Sequence, residues 1–126
     1  MSFKPLLALV LAAGVALPAD AAPTKAPMTV GTFLTRAAPL RANPLLAFTS
    51  PDYATLKAEA DAATRQLKAD GAARAASGKP PIACIPDGQS IGIMDMLSGL
   101  DALPAAAKKL PLKDGYARVI AQKFPC

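Results

Sequence analysis

Apolar residues recur along this chain at the three- and four-residue spacing of α-helices, and no useful stretch alternates as a β-strand does. The strongest helix start is Ser50-Pro51-Asp52, because serine caps free backbone N–H groups, proline fits the first helical position and aspartate complements the dipole. This signal predicts a helix that frays around Gly71 and stops by Ser77-Gly78. Its apolar stripe comprises Tyr53, Leu56, Ala60, Ala63 and Leu67.

Two more helices are predicted at the ends of the pattern. The first follows Thr29 and ends near the Asn43-Pro44 break, and the last runs from Pro111 or Leu112 to about Lys123. A short helical turn over residues 104–109 precedes the last helix. The faces predicted to be buried are Val30, Phe33, Leu34 and Ala37 in the first helix, and Leu112, Tyr116, Val119 and Ile120 in the last.

A further helix is predicted after residues 77–90, which contain three prolines and are interpreted as an ordered loop. It opens at Ser90 or Asp87. Its methionines could form a promiscuous binding surface, but their helical spacing favours a core role. The face predicted to be buried is Ile93, Met94, Leu97 and Leu100. The fold class is therefore predicted to be all-α, a small four- or five-helix bundle with one disulfide.

The N-terminus has the pattern of a secretory signal peptide. Lys4 is followed by twelve uninterrupted apolar residues, 6–17, and the A-x-A rule places cleavage between Ala21 and Ala22. The alternative is an uncleaved anchor, but a spanning helix needs about 20 apolar residues. We therefore expect a periplasmic protein without stable membrane insertion after cleavage.

Cleavage at this position divides the chain into three parts. Residues 1–21 are the predicted signal peptide, residues 22–28 a linker and residues 29–126 a single helical domain.

The only two cysteines, Cys84 and Cys126, allow one intramolecular disulfide in an oxidising compartment. Closing a loop of about 43 residues would contribute ~4 kcal/mol in the loop-closure model. A redox-active pair is the alternative, but such pairs usually have C-x-x-C spacing. A structural disulfide is therefore predicted.

The chain carries a net charge of +5, and loss of Lys4 and Asp20 with the signal peptide leaves it unchanged. Positive charge favours nucleic acid, anionic surfaces or acidic proteins, and export makes nucleic acid the least favoured partner. The alternative is that the basic residues lie on solvated helix faces and bind no partner. Binding to peptidoglycan or another anionic surface stays open for the densest basic group, which is Lys108, Lys109, Lys113, Arg118 and Lys123.

Catalysis is not expected from this sequence. The chain contains no histidine, which excludes Ser-His and Cys-His catalysis and histidine-based zinc sites. No serine or threonine has lysine three residues later, the spacing of a Ser-Lys site. Carboxylate chemistry stays open in principle through Asp95, Asp101 and Asp114, but each of them fits an exposed or first-turn helix position. No catalytic residue, metal site or cofactor is predicted.

The C-terminal third carries a family resemblance. Its elements are Cys84-Ile85-Pro86, a helix from Ser90, Leu103-Pro104, the run from Leu110 to Gly115 and the terminal Lys123-Phe124-Pro125-Cys126. Over residues 80–126 the chain resembles the Rap/Tai family of periplasmic immunity proteins, associated with type VI secretion amidase toxins. The resemblance implies a helical, disulfide-bonded toxin inhibitor that blocks the active site of a cell-wall amidase by occupying its cleft. The alternative is a structural or housekeeping envelope protein on the same scaffold.

Overall fold

The computed structural model describes residues 26–126 and shows an all-α bundle, which confirms the predicted fold class. No β-strand occurs within these residues, and none of their helices has the length and hydrophobicity needed to cross a membrane. The predicted signal peptide and its cleavage site at Ala21 and Ala22 lie outside the described residues. The α-helices are α1 (Val30–Ala42), α2 (Pro51–Ala76), α3 (Ile93–Asp101) and α4 (Leu112–Lys123); short 3-10 helices occupy Pro44–Phe48 and Ala107–Lys109.

The predicted starts of α1 and α2 are confirmed in atomic detail. The Thr29 hydroxyl accepts a hydrogen bond from the Thr32 N–H at 3.2 Å, and the Ser50 hydroxyl accepts one from the Asp52 N–H at 3.2 Å. Each bond satisfies a backbone donor that the first turn of a helix would otherwise leave free. The α2 helix is continuous through Gly71 and ends at Ala76, so the predicted stop is right but the predicted fraying is not seen.

The core is densest where the starts of α1 and α4 meet α3. Backbone bonds hold this arrangement: the Val30 N–H donates to the Leu110 carbonyl at 3.0 Å, and the Leu112 N–H donates to the Met28 carbonyl at 2.9 Å. We call the close-packed set Val30, Gly99, Leu100, Gly115 and Val119 the helix junction; the side chains of Val30 and Leu100 have no exposed surface.

Both glycines of the helix junction allow a close approach. A Cβ on Gly115 would lie 2.3 Å from Val30 Cγ2, and one on Gly99 would lie 2.5 Å from Val119 Cγ1. The buried core extends outward from the junction and comprises Phe33, Leu34, Ala37, Leu56, Ala63, Met96, Leu97, Leu103, Ala107, Leu112, Tyr116 and Phe124.

The predicted core is wrong at three positions. Met94 and Ile93 are 58% and 60% exposed, because α3 begins at Ile93 rather than Ser90 or Asp87 and its first turn extends beyond the packed helices. Met96, which was not among the predicted core residues, is buried instead. Tyr53, in the first turn of α2, is 45% exposed. The remaining predicted core residues are buried or half-buried.

Candidate functional site

The predicted disulfide between Cys84 and Cys126 is present, with an S–S distance of 2.01 Å. It joins the loop between α2 and α3 to the end of the chain. Two hydrogen bonds add to it: the Cys84 N–H donates to the Phe124 carbonyl at 2.8 Å, and Arg74 Nε donates to the Pro80 carbonyl at 2.8 Å. The loop is therefore held near its start at Pro80 and at its middle at Cys84, although residues 77–92 are all exposed or half-buried.

This loop forms one wall of an open cavity of about 620 Å³, which we call the groove. Residues 81–91 supply the loop wall, and α2, α4 and the start of α3 supply the rest. The lining is mainly apolar: Ala60, Leu67, Pro81, Ile82, Ala83, Ile85, Ile91, Ile93, Met96, Ala117 and Ile120, with Gly71 at one position. A concave site of this volume with few polar groups is typical of ligand pockets.

Two charged side chains and one phenol lie in the groove. Tyr116 is buried, and burial followed by the charge of Asp61 raises the pKa of its hydroxyl to about 12. The hydroxyl is therefore a neutral hydrogen-bond donor at physiological pH. Asp61 accepts from the Lys57 ammonium at 3.3 Å, whereas Lys68 has no carboxylate within ion-pair distance among residues 26–126.

A second apolar surface is the 3-10 helix Pro44–Phe48 between α1 and α2, which we call the apolar turn. None of its five residues is buried, and Leu45 and Phe48 are 73% and 87% exposed. Leu46, at 40% exposed, completes a patch of three large apolar side chains. Because large exposed apolar patches mark sites of interaction with other molecules, the apolar turn is a candidate contact surface.

The backbone of the apolar turn is held in place. The Leu46 N–H donates to the Asn43 carbonyl at 3.0 Å, and the Ser50 N–H donates to the Leu46 carbonyl at 2.7 Å. Across its base, Arg36 of α1 forms an ion pair with Asp52 of α2 at 2.6 Å. The exposed side chains therefore stand on an ordered backbone.

The structure separates the five predicted basic residues. Lys113 pairs with Asp70 and Lys123 with Asp95, both at 3.1 Å, and these pairs tie α4 to α2 and α3. Arg118 is exposed on α4. Lys108 and Lys109 line a shallow pocket beside Arg36 and the first two turns of α1. The C-terminal basic group is therefore not one patch of five uncompensated cations, and its binding role stays a prediction.

The three carboxylates considered for catalysis are also apart. Asp95 pairs with Lys123, Asp101 pairs with Arg41, and Asp114 lies in the first turn of α4. Within residues 26–126 no three histidine, cysteine or acidic side chains are placed to share a metal ion.

No family model, curated protein or solved structure matched the chain. The apolar turn and the groove are therefore two candidate sites, identified from the structure alone.

Sequence reasoning missed both apolar surfaces. A signal for the apolar turn was present, since three large apolar residues stand between the Asn43-Pro44 helix stop and the Ser50-Pro51 helix start. A segment this short, between two helices, cannot turn all of its apolar side chains towards the core. The groove had a weaker signal, the isoleucines Ile82, Ile85 and Ile91 in a proline-rich loop.

Proposed function

We propose that this chain is an exported inhibitory binding protein of the immunity type, which blocks a cell-wall amidase toxin by inserting the apolar turn into the enzyme's cleft. The observation that carries this proposal is the exposure of Leu45 and Phe48 on an ordered turn. The choice of an amidase rests on the resemblance of residues 80–126 to periplasmic immunity proteins.

The physical support comes from how inhibitors gain affinity. A few buried aromatic or aliphatic anchors supply most of the binding free energy of an interface. Anchors on an ordered backbone lose less entropy on binding than anchors on a mobile loop. Phe48 and Leu45 stand on such a backbone, because hydrogen bonds and the Arg36–Asp52 ion pair hold the turn at its base.

Export is part of the same proposal. A cell-wall amidase acts in the periplasm, and residues 1–21 are the signal that would deliver the inhibitor there. The disulfide between Cys84 and Cys126 is compatible with that oxidising compartment.

The direct test uses the oxidised, exported protein and a purified amidase toxin that is encoded nearby or delivered by neighbouring cells. Peptidoglycan hydrolysis is followed while the inhibitor concentration is raised. We expect stoichiometric inhibition and a complex that co-elutes in size-exclusion chromatography. Unchanged hydrolysis with no complex would rule out the immunity function and leave a structural envelope role.

The contact surface is tested with a matched pair of variants. Phe48→Asp should weaken inhibition by about 30-fold or more, since an anchor residue contributes at least ~2 kcal/mol and each 1.4 kcal/mol is tenfold. Met94→Asp introduces the same charge at another exposed apolar position, 58% exposed on α3, and should leave inhibition unchanged. Equal effects of the two substitutions would show that the apolar turn is not the contact.

A further inference from the structure

We propose that the groove is a binding site for a long-chain carboxylate, with the acyl chain against the isoleucines of the loop wall and the carboxylate at Lys68. This site is separate from the apolar turn, and the proposal does not depend on inhibition of an amidase.

The size and lining of the groove favour a small amphiphile. Its volume of about 620 Å³ falls within the range of about 300–1,000 Å³ that small-molecule sites occupy. Ile82, Ile85 and Ile93 expose 38%, 47% and 60% of their surfaces beside it, so an apolar ligand would remove that area from water. About 16 Å of α2, from Ala60 to Gly71, borders the groove, which makes it elongated rather than round.

The charges select an anionic head group. Among the described lining residues only Asp61 and Lys68 are charged. Lys57 compensates Asp61 at 3.3 Å, whereas Lys68 has no carboxylate partner within residues 26–126. A carboxylate on the ligand would supply that partner, and a charge-assisted bond of this type is stronger than a neutral one.

Tyr116, Gln89 and Ser90 add neutral hydrogen-bonding groups to an otherwise apolar lining. The Tyr116 hydroxyl keeps its proton at physiological pH and can donate to a carboxylate oxygen without adding charge.

The groove is also formed before any ligand arrives. The disulfide and the bond from the Cys84 N–H to the Phe124 carbonyl hold the loop wall against the end of α4. A preformed wall lowers the entropy cost of binding. The disulfide and this hydrogen bond hold the backbone of the loop, while its isoleucine side chains remain at the surface. Such exposed side chains on an ordered backbone are suited to bind a ligand.

The test is a fluorescence titration of the oxidised, exported protein with cis-parinaric acid, a fluorescent long-chain carboxylate. Laurate should displace the probe, and lauryl alcohol, which has the same chain and no charge, should do so about tenfold less well. Absence of probe binding at micromolar concentrations, or equal competition by acid and alcohol, would overturn the proposal.

Substitutions in and outside the groove test where the probe binds. Lys68→Glu should weaken probe binding about tenfold or more, whereas Arg65→Glu makes the same charge change on α2 at a residue that does not line the groove and should have a much smaller effect. Ile85→Glu should abolish binding without unfolding the protein, because this side chain is about half exposed. Phe48→Asp should leave probe binding unchanged.

Equal losses in Lys68→Glu and Arg65→Glu would overturn the carboxylate assignment. Loss of binding in Phe48→Asp would place the probe on the apolar turn. Self-association of the wild-type chain that Ile85→Glu abolishes, without probe binding, would assign the groove to a second copy.

Discussion

The helix junction and the loop wall of the groove differ in the solvent exposure of their apolar side chains. At the junction, Val30 and Leu100 are fully buried, and Gly115 is needed because a larger residue would overlap Val30. Along the loop wall, Ile82 and Ile85 remain exposed. The backbone there is held by the Cys84–Cys126 disulfide rather than by side-chain packing.

The difference separates residues that stabilise the fold by burial from residues that are available for contact with another molecule. Side chains of the helix junction contribute by burial and dispersion contacts. Ile82 and Ile85 of the loop wall contribute little burial, yet the disulfide fixes the backbone that carries them. The apolar turn resembles the loop wall in this respect, because its side chains are exposed on an ordered backbone.

The largest predicted effect is on the disulfide that holds the loop wall. Cys84→Ser should lower the free energy of unfolding by ~4 kcal/mol in the loop-closure model. Chemical denaturation of the oxidised protein and the variant measures the difference. Reduced wild type is the control and should match the variant. An unchanged denaturation midpoint in Cys84→Ser would show that packing, not the bond, holds the loop wall.

Tyr116 belongs to both regions, since it is buried in the core and lines the groove. Its pKa is raised from 10.0 to about 12, so the folded state favours the neutral phenol. This contribution is fully present below pH 10 and is lost as the pH rises towards 12. With one pKa unit equal to 1.36 kcal/mol, the loss is about 2–3 kcal/mol.

The measurement is the free energy of unfolding between pH 9 and 12, in wild type and in Tyr116→Phe. The wild type should lose more stability than Tyr116→Phe over this interval, because only the wild type can ionise at this position. Parallel pH profiles would contradict the burial of the hydroxyl.

Two glycine substitutions test the packing contrast directly. Gly115→Ala should destabilise the protein by about 1–2 kcal/mol, because overpacking at the helix junction outweighs the gain in helix propensity. A stabilised Gly115→Ala protein in thermal or chemical denaturation would show that the junction has room to spare.

The smallest effect has the opposite sign. Gly71→Ala should stabilise the protein by about 0.5–1 kcal/mol, because Gly71 is inside α2 and a Cβ there meets no atom within 4 Å. The same denaturation series measures it. A destabilised variant would mean that the groove side of α2 is more crowded than the structure shows.

Local signals made much of the fold predictable. Thr29, Ser50 and the break at Asn43-Pro44 gave the limits of α1 and the start of α2, because capping depends on neighbouring residues alone. The pairing of the two cysteines followed from their number. Burial in the first turns of α2 and α3 was not predictable: Tyr53 and Met94 fit the helical period but are 45% and 58% exposed.

The groove and the apolar turn depend on tertiary placement, which spacing along the chain does not contain. The loop isoleucines line the groove in a fold where the bond from Cys84 to Cys126 joins their loop to the tail behind α4. Likewise, the separation of Lys113 and Lys123 into two ion pairs depends on which helices face α4.

The central claim is that the apolar turn is the surface that meets an amidase toxin. Hydrogen–deuterium exchange of the oxidised protein, alone and saturated with the amidase toxin of the proposed inhibition assay, tests this claim most directly. We predict slowed amide exchange in residues 44–50 and unchanged exchange in the loop wall, residues 81–91. Slowed exchange confined to the loop wall, or unchanged exchange in residues 44–50 of a saturated complex, would contradict the account.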